Sequence, residues 1–501
     1  MTRAVFRPIL RSGFASRVEA RRNRTPLPEG TEENRKEVQA GIHGRERKGD
    51  AVKQTLSLIP FILVAAILAA PSAQEGTPPP KASSVFTVED LRHDFAQLRR
   101  ILEEEHCCLY EYTPKEEFDR MFAEGLARID RPMRCEEFFR IAAPLAARAG
   151  CMHTALWMPG RFFDLDPDNL FPLRVRLIEG RLVVAGSYLE PLEVPRGSVI
   201  LEINGVPAKE VVDVLKTITS GDAHNPYFIE TQVEKRFAMF YASVFGFPEE
   251  FSVTYSPPGS VGRLTADLRP ADIESVRDAV FANFHAPLPT FEVLEGGKTA
   301  VMTVKTFIYY DRVDEFRKFM DASFLRIKEE GVENLVLDLR GNDGGDPFCA
   351  VILYSYLEKE PAPYFAEPYG RYADLAKPVP PARNRFAGRL WTLLDGRCGS
   401  TNGHFCALLD YHGIGRFVGT PSGATYKCNA GRNTEFRLDK TSLILTIGRS
   451  TFAAAVKGMD KRKPIMPDYP VKETIEDFIE GRDVYLARAL ELINGASRPG
   501  R

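Results

Sequence analysis

This sequence predicts an α/β protein built around a parallel sheet, and two stretches carry most of that expectation. Leu335-Val-Leu-Asp-Leu-Arg-Gly-Asn-Asp-Gly-Gly-Asp346 reads as a wholly apolar strand running into a glycine-rich turn, with a helix after Pro347. Leu390-Trp-Thr-Leu-Leu394 reads as a second buried strand, opening through Arg397-Cys-Gly-Ser-Thr-Asn-Gly-His404 onto a helix that begins near Ser400. Two strand–turn–helix units in succession imply parallel pairing. They also put backbone N–H groups and a hydroxyl at the carboxyl ends of strands, where open α/β sheets bind ligands. The two turns are expected to face each other.

The 501 residues give room for roughly two to four domains. The formal charge of −2 hides an asymmetry: up to Lys53 the chain carries thirteen basic and seven acidic residues, +6, and the remainder carries −8. That remainder has no basic stripe and no nucleic-acid motif, so a nucleic-acid partner is not expected. Eight cysteines in a chain of this length do not make a disulfide scaffold, and none forms C-x-x-C or a zinc-ligand cluster. Cys107 and Cys108 are vicinal, an arrangement that rarely bridges, and Cys398 reads as a small buried residue.

Residues 56–70 are an apolar run too short for a comfortable membrane span. Lys53 precedes it and Pro71-Ser-Ala73 follows, the layout of a secretory signal peptide. It lies behind some fifty polar, Arg-rich residues, which is explained if translation starts downstream, for instance at Val52 from a GTG codon. A single-pass signal anchor is the alternative. Either way the body is expected to be exported, periplasmic or extracellular, touching a membrane only through such an anchor. Residues 1–73 are thus extension and leader, and 74–84 a Pro-rich linker.

A helical module is expected over 85–160. Leu91, Phe95, Leu98, Ile101 and Leu102 keep a helical period, as do Phe118, Phe122, Leu126 and Ile129. A third segment runs from Glu136 to Arg148. Cys151-Met-His-Thr-Ala-Leu-Trp157 then reads as a strand with His153 near its start. From about Phe162 to Pro258 the pattern changes to short strands. Arg196-Gly-Ser-Val-Ile-Leu-Glu-Ile-Asn-Gly-Val-Pro207 reads as a strand closed by an Asn-Gly turn, with a helix over Ala208 to Thr217. Its wording resembles a PDZ-like domain, a fold that binds extended peptide by strand addition. After the Gly259-Ser-Val-Gly linker the β/α alternation begins with a strand over Ala300 to Phe307. Val313, Phe316, Phe319, Met320, Phe324 and Ile327 line the helix after it. Following the two organising strands come Arg416-Phe-Val-Gly419, a β-rich stretch from Thr434 to Phe452, and an amphipathic helix from about Thr474 to Leu492.

Taken together, these phrases resemble the S41 family of serine peptidases, the tail-specific or C-terminal processing proteases and their tricorn-like relatives. The residues that carry the resemblance are Asp338-Leu-Arg-Gly-Asn-Asp-Gly-Gly345, a strand ending in a serine at the head of a helix, and the late Pro467-Asp468 before a helix. The resemblance covers most of the chain after the linker. It implies a crotonase/ClpP-like α/β catalytic domain over 263–495, with a PDZ-like β-rich domain over 161–262 between His153 and the main sheet.

The resemblance implies Ser400 as nucleophile, activated by a base and by donors to the oxyanion. Thr401 N–H is one implied donor; the other comes from Gly344 or Gly345, where a missing Cβ lets backbone approach a substrate. The family has two bases. C-terminal processing members use a lysine about twenty-five residues after the serine; Thr425 stands there, with Lys427 displaced by two. Tricorn-like members use a histidine before a threonine, matched by His153-Thr154, although Cys151-Met152 replaces the family's Asp-Gly. The expectation is His153 as general base and then acid, with Lys427 as the alternative. His404, four residues beyond Ser400, reads as structural or cleft-lining. The third member falls to Asp460, the one carboxylate shortly before Pro467-Asp468. Asp338 and Arg340 read as a buried pair beneath the turn. Asp343 and Asp346, two loop carboxylates without a third ligand, do not make a metal site, and no cofactor is expected. The expected partner is a peptide or protein substrate. A catalytically inactive peptide-binding protein and a hydrolase of simple esters are readings of other kinds that the same residues permit.

Overall fold

The structure, a computed structural model, describes residues 84–159, 169–281, 288–430 and 433–496. The expected leader, and all of the linker but Ser84, lie outside them. Among the described residues no helix is long and apolar enough to cross a membrane.

The helical module forms as its periodicity predicts, except that Leu126, read with the buried stripe of the second helix, is exposed. Helix α1 (Val88–Glu105) starts at a capping box made by Thr87 and Asp90, and it buries Leu91, Phe95, Leu98, Ile101 and Leu102. Helices α2 (Lys115–Ala127) and α3 (Cys135–Ala147) complete the module. The next segment departs from expectation. Residues 151–154 form a turn closed by Thr154 N–H donating to the Cys151 carbonyl at 3.0 Å, and strand β1 is only Ala155–Trp157. His153 therefore sits on a turn, not on a strand.

The middle region holds β2 (Leu173–Ile178), β3 (Arg181–Ser187), β4 (Val199–Ile203), helix α4 (Ala208–Thr217), helix α5 (Pro226–Phe245), β5 (Phe251–Ser256) and β6 (Leu264–Leu268). The strands lie in the order β2-β3-β4-β5-β6, all antiparallel. Two expectations are corrected. Gly259-Ser-Val-Gly is the loop of the β5–β6 hairpin, not a linker, so the boundary at 262 cuts a sheet. The long helix α5 had no forecast. It buries Phe228, Val233 and nearly every residue from Phe237 to Val244, and a helix buried almost all round leaves no one-sided stripe to read.

The third region carries β7 (Thr290–Val293), β8 (Thr299–Thr303), helix α6 (Val313–Glu329), β9 (Asn334–Asp338), helix α7 (Pro347–Ser355), β10 (Arg389–Leu394), helix α8 (Thr401–Tyr411), β11 (Arg416–Gly419), β12 (Lys427–Cys428), β13 (Thr434–Arg437), β14 (Ile444–Ile447), β15 (Phe452–Ala453), β16 (Tyr469–Pro470), helix α9 (Ile475–Glu480) and helix α10 (Val484–Ala496). Its main sheet has the order β7-β8-β9-β10-β11-β16, parallel except for the β7–β8 pair. Both faces are covered. Leu335 and Leu337 join the core under α6, α7 and α8, while Val336 packs with Trp391, Val418, Ala489 and Ile493 beneath α10. Burial on both sides is why these strands read as unbroken apolar runs. The expected single C-terminal helix is two: Gly481 takes a left-handed conformation (φ 68°) that ends α9, and Asp483 accepts the Leu486 N–H at 3.0 Å at the start of α10.

One small sheet joins the chain's distant parts. Strand β14 pairs antiparallel with both β13 and β1, setting Leu445 opposite Leu156 and Thr446 opposite Ala155. Leu438, Leu443, Leu445 and Ile447 then share a core with α1, α2 and α3. The late β-rich stretch thus belongs to the same packing unit as the early helices.

Candidate active site

The site lies where β9 and β10 end. From Leu394 the chain enters a tight turn anchored on the buried carboxylate of Asp395, which accepts the N–H groups of Gly341 (2.9 Å) and Arg397 (3.0 Å). The turn delivers Ser400 at φ 50°, ψ −125°, a conformation that side-chain-bearing residues adopt only under constraint. Helix α8 begins at the next residue, so Ser400 stands over a helix N-terminus with Thr401 N–H in its first turn. Ser400 makes no capping hydrogen bond of its own. A serine that strains the backbone without capping the helix is not there for the helix.

The two glycine-rich turns do face each other. Asn342 ties them: its carbonyl accepts from Gly399 N–H (3.3 Å) and Asn402 Nδ2 (3.1 Å), and its Nδ2 donates to the Val304 carbonyl at 2.9 Å. Thr401 Oγ1 donates to the Gly345 carbonyl at 2.6 Å. A Cβ at Gly344 would stand 2.9 Å from Ser400 Cβ and 3.0 Å from Thr401 N, and one at Gly345 would stand 2.2 Å from the Phe307 carbonyl carbon. The missing side chains therefore make room for the protein's own backbone rather than for a ligand. Gly344 N–H donates to Asn342 Oδ1 at 2.9 Å, which removes it as a free oxyanion donor. Gly345 and Thr401 are left as the two candidates.

The charges around the turns pair with one another, and the Asp338–Arg340 pair is as read from the sequence. Asp338 binds Arg340 Nε at 2.9 Å, and Arg340 reaches on to Asp483 at 2.7 Å. Asp343 is held by Lys235 (2.8 Å) and Arg397 (2.7 Å); burial alone would raise its pKa, but these two cations pull it well below the usual range. Asp346 caps α7 by accepting Phe348 N–H at 3.0 Å and pairs with Arg371 at 2.7 Å. No group of three or more potential metal ligands occurs among the described residues.

The turn at 151–154 reaches the nucleophile turn from the other side. Met152 Cε lies 3.4 Å from where a Cβ on Gly399 would be. His153 is close enough for its charge to oppose protonation of His404, which lies one helical turn beyond Ser400. His153 Nδ1 is buried without a hydrogen-bond partner. Burial pushes its pKa down to about 4, so the ring is a neutral base at pH 7. Asp222 fixes this turn: its Oδ1 accepts Met152 N–H at 2.9 Å, its Oδ2 is buried and unpartnered, and burial pushes it up to about 7.

Lys427 points elsewhere. Its Nζ bonds Glu111 at 2.5 and 2.6 Å, and Lys461 bonds the same carboxylate at 2.8 Å. Burial notwithstanding, the two ammoniums hold Glu111 below its ordinary range. Because neighbouring strand residues face opposite sides, Cys428 turns inward where Lys427 turns out. The Cys428 thiol lies 3.4 Å from His404 Nε2, one helical turn beyond Ser400. His404 is buried edge-on to Phe365, consistent with a structural or cleft-lining residue. Asp460 does not join the site. It is exposed and its Oδ1 accepts Arg462 N–H at 3.0 Å in a surface turn, so it cannot orient a buried imidazole.

Sequence reasoning missed Cys428, Asp222 and Glu111. Strand parity next to Lys427 held a signal for Cys428. Nothing local marks the other two, which arrive from the loop before α5 and the turn after α1.

Residues 298–471 match the family model described as peptidase family S41. Among solved structures, mature CPAF complexed with lactacystin is 12% identical, with 81% of this chain and 98% of that chain covered at a TM-score of 0.56. A serine-to-alanine variant of CPAF is 12% identical over 83% and 99%, at 0.58. Identities this low speak for a shared fold. No curated protein sequence matches the chain.

Proposed function

With residues 298–471 a serine-type peptidase region of family S41, we propose that the chain is an exported peptidase that cleaves peptide bonds through an acyl-enzyme on Ser400, with His153 as the base. Ser400 Oγ gives its proton to His153 as it attacks the scissile carbonyl. The oxyanion is met by Thr401 N–H at the α8 terminus and by Gly345 N–H. His153 then protonates the leaving amine, and water repeats the sequence to release the acyl group. Asp222 holds the base's turn through Met152 N–H, a contact to the backbone of the turn and not to the imidazole.

The observation that carries this reading is the meeting of the 151–154 turn with the strained Ser400 turn, beside an imidazole that burial keeps neutral. The Ser–Lys alternative is disfavoured because Lys427 is bound to Glu111. A second reading, an inactive peptide-binding protein, is favoured by His153 Nδ1, which is buried without the acidic partner a triad supplies. A fluorophosphonate probe separates these. Labelling lost in both Ser400→Ala and His153→Ala is the expected result. Labelling that survives His153→Ala but not Lys427→Ala moves the base to lysine, and an unlabelled wild type leaves the inactive reading.

A further inference from the structure

Cys107 and Cys108 are set apart from the other cysteines. Cys135, Cys151, Cys349, Cys398, Cys406 and Cys428 are buried, and burial pushes each thiol up. Cys107 is exposed and Cys108 half-buried. They sit on the turn after α1, where Cys108 N–H donates to His106 Nδ1 at 3.1 Å. Neighbouring side chains in an extended chain diverge; here the turn brings both sulfurs to one hydroxyl, with Sγ atoms 3.7 and 3.5 Å from Thr451 Oγ1. The two thiols are close enough to perturb each other's ionisation.

We propose that Cys107–Cys108 is a thiol-modification site, a vicinal dithiol that low-molecular-weight disulfides oxidise to an intramolecular bridge. The Cys108 thiolate attacks one sulfur of the reagent RSSR, forming a mixed disulfide and releasing RS⁻. Cys107 then loses its proton and displaces the second RS⁻ from Cys108. Two electrons pass to the reagent, the two thiol protons end on two RSH, and the protein gains one S–S bond. The Lys427 charge favours the Cys108 thiolate, which makes Cys108 the first sulfur to attack.

The pair is linked by hydrogen bonds to the turn that carries His153. Thr451 Oγ1 donates to Asn429 Oδ1 at 2.9 Å, and the Asn429 carbonyl accepts Cys151 Sγ at 3.2 Å, two residues before His153. Bridging the sulfurs withdraws both from the Thr451 hydroxyl and shifts this chain. That consequence rests on the Ser400–His153 reading; the chemistry of the pair does not.

The test is to incubate the full chain with glutathione disulfide at pH 7, alkylate the remaining thiols and analyse the digest by mass. The expected product is a Cys107–Cys108 peptide that has lost two hydrogens and carries no glutathione, with the buried thiols alkylated. Cys107→Ser should stop at a glutathione adduct on Cys108, and Cys108→Ser should react about five- to tenfold more slowly. Glutathione retained on the wild-type pair, or Cys108→Ser reacting as fast as wild type, overturns the proposal. Fluorophosphonate labelling of the oxidised sample should slow by about fivefold and recover with dithiothreitol. Unchanged labelling of fully bridged protein overturns the coupling alone, and the mass result stands even if Ser400 never labels.

Discussion

The turn bearing Ser400 and the turn bearing His153 meet at one place but are held there in different ways. The first is fixed by neighbours in sequence and by the adjoining strand: Asp395 clamps its own turn and Gly341, and Asn342 clamps Gly399 and Asn402. The second has one internal bond, Thr154 N–H to the Cys151 carbonyl. Its other supports come from far along the chain, namely Asp222 on Met152, Ser220 on the Thr154 carbonyl, Asn429 on Cys151 and Gly448 on Thr154 Oγ1. A parallel sheet supplies a rigid strand end and a helix terminus together, so a nucleophile there is preorganised by local structure. The proposed base is imported, and the turn that carries it leads into β1, which pairs with β14.

The comparison breaks most visibly on the base. His153→Ala should lower peptide turnover by about a thousandfold or more, whereas Lys427→Met should cost only a few-fold. Equal losses in steady-state assays would make the two sides of the site indistinguishable. Next in size is Gly344→Ala. Its Cβ would meet the Gly399 carbonyl oxygen and Ser400 Cβ at 2.9 Å, at φ 102°. Strain and overpacking together should cost about 2–4 kcal/mol and reduce turnover with them. A urea midpoint equal to wild type would show that the rigid side is softer than its bonding suggests.

The imported side should show itself in pH dependence. Burial lowers His106 and His153 to about 4 and His404 to about 3, from 6.5. Between pH 6.5 and about 4 the unfolded chain therefore binds more protons. The contribution of these rings is full above pH 6.5 and falls with pH, by up to about 1.4 kcal/mol per pH unit for each. Asp222, raised to about 7 from 3.8, acts in the opposite sense, its contribution fading as pH rises towards 7. The urea midpoint should fall on acidification from pH 6.5 to 4.5, more steeply in Asp222→Asn, and a flat profile in both would refute the burial argument.

The smallest effect expected is at the junction of the two sides. Cys428→Ala removes the thiol 3.4 Å from His404 Nε2 and should leave the fluorophosphonate labelling rate within about twofold of wild type. A rate lowered by more would make the thiol a supporting contact of the site.

Much of this was legible beforehand because local order dominates it. The apolar runs at Leu335 and Leu390 could only be strands buried on both faces, and the Asp338-to-Gly345 phrase and the Ser400 helix start follow from their ends. The Asp338–Arg340 pair and the small buried Cys398 were also as read. What failed needed three dimensions. Asp460 looked suitable by its distance from Pro467-Asp468, yet its carboxylate turns to its own loop. Gly344 looked open to a ligand, yet its N–H serves Asn342. The hairpin at Gly259 looked like a linker because both use the same residues, and α5 gave no stripe because it has no solvent face.

By itself the sequence determined the kind of sheet, the place of Ser400 at the head of a helix after a strand and the peptidase family it resembles, since these depend on residues within a turn or two of one another. Only the tertiary structure decided what surrounds Ser400. It sent Lys427 to Glu111, set Cys428 against His404 and bound the turn before β1 through Asp222, because strand parity and long-range pairing, unlike periodicity, are fixed only when the whole core closes.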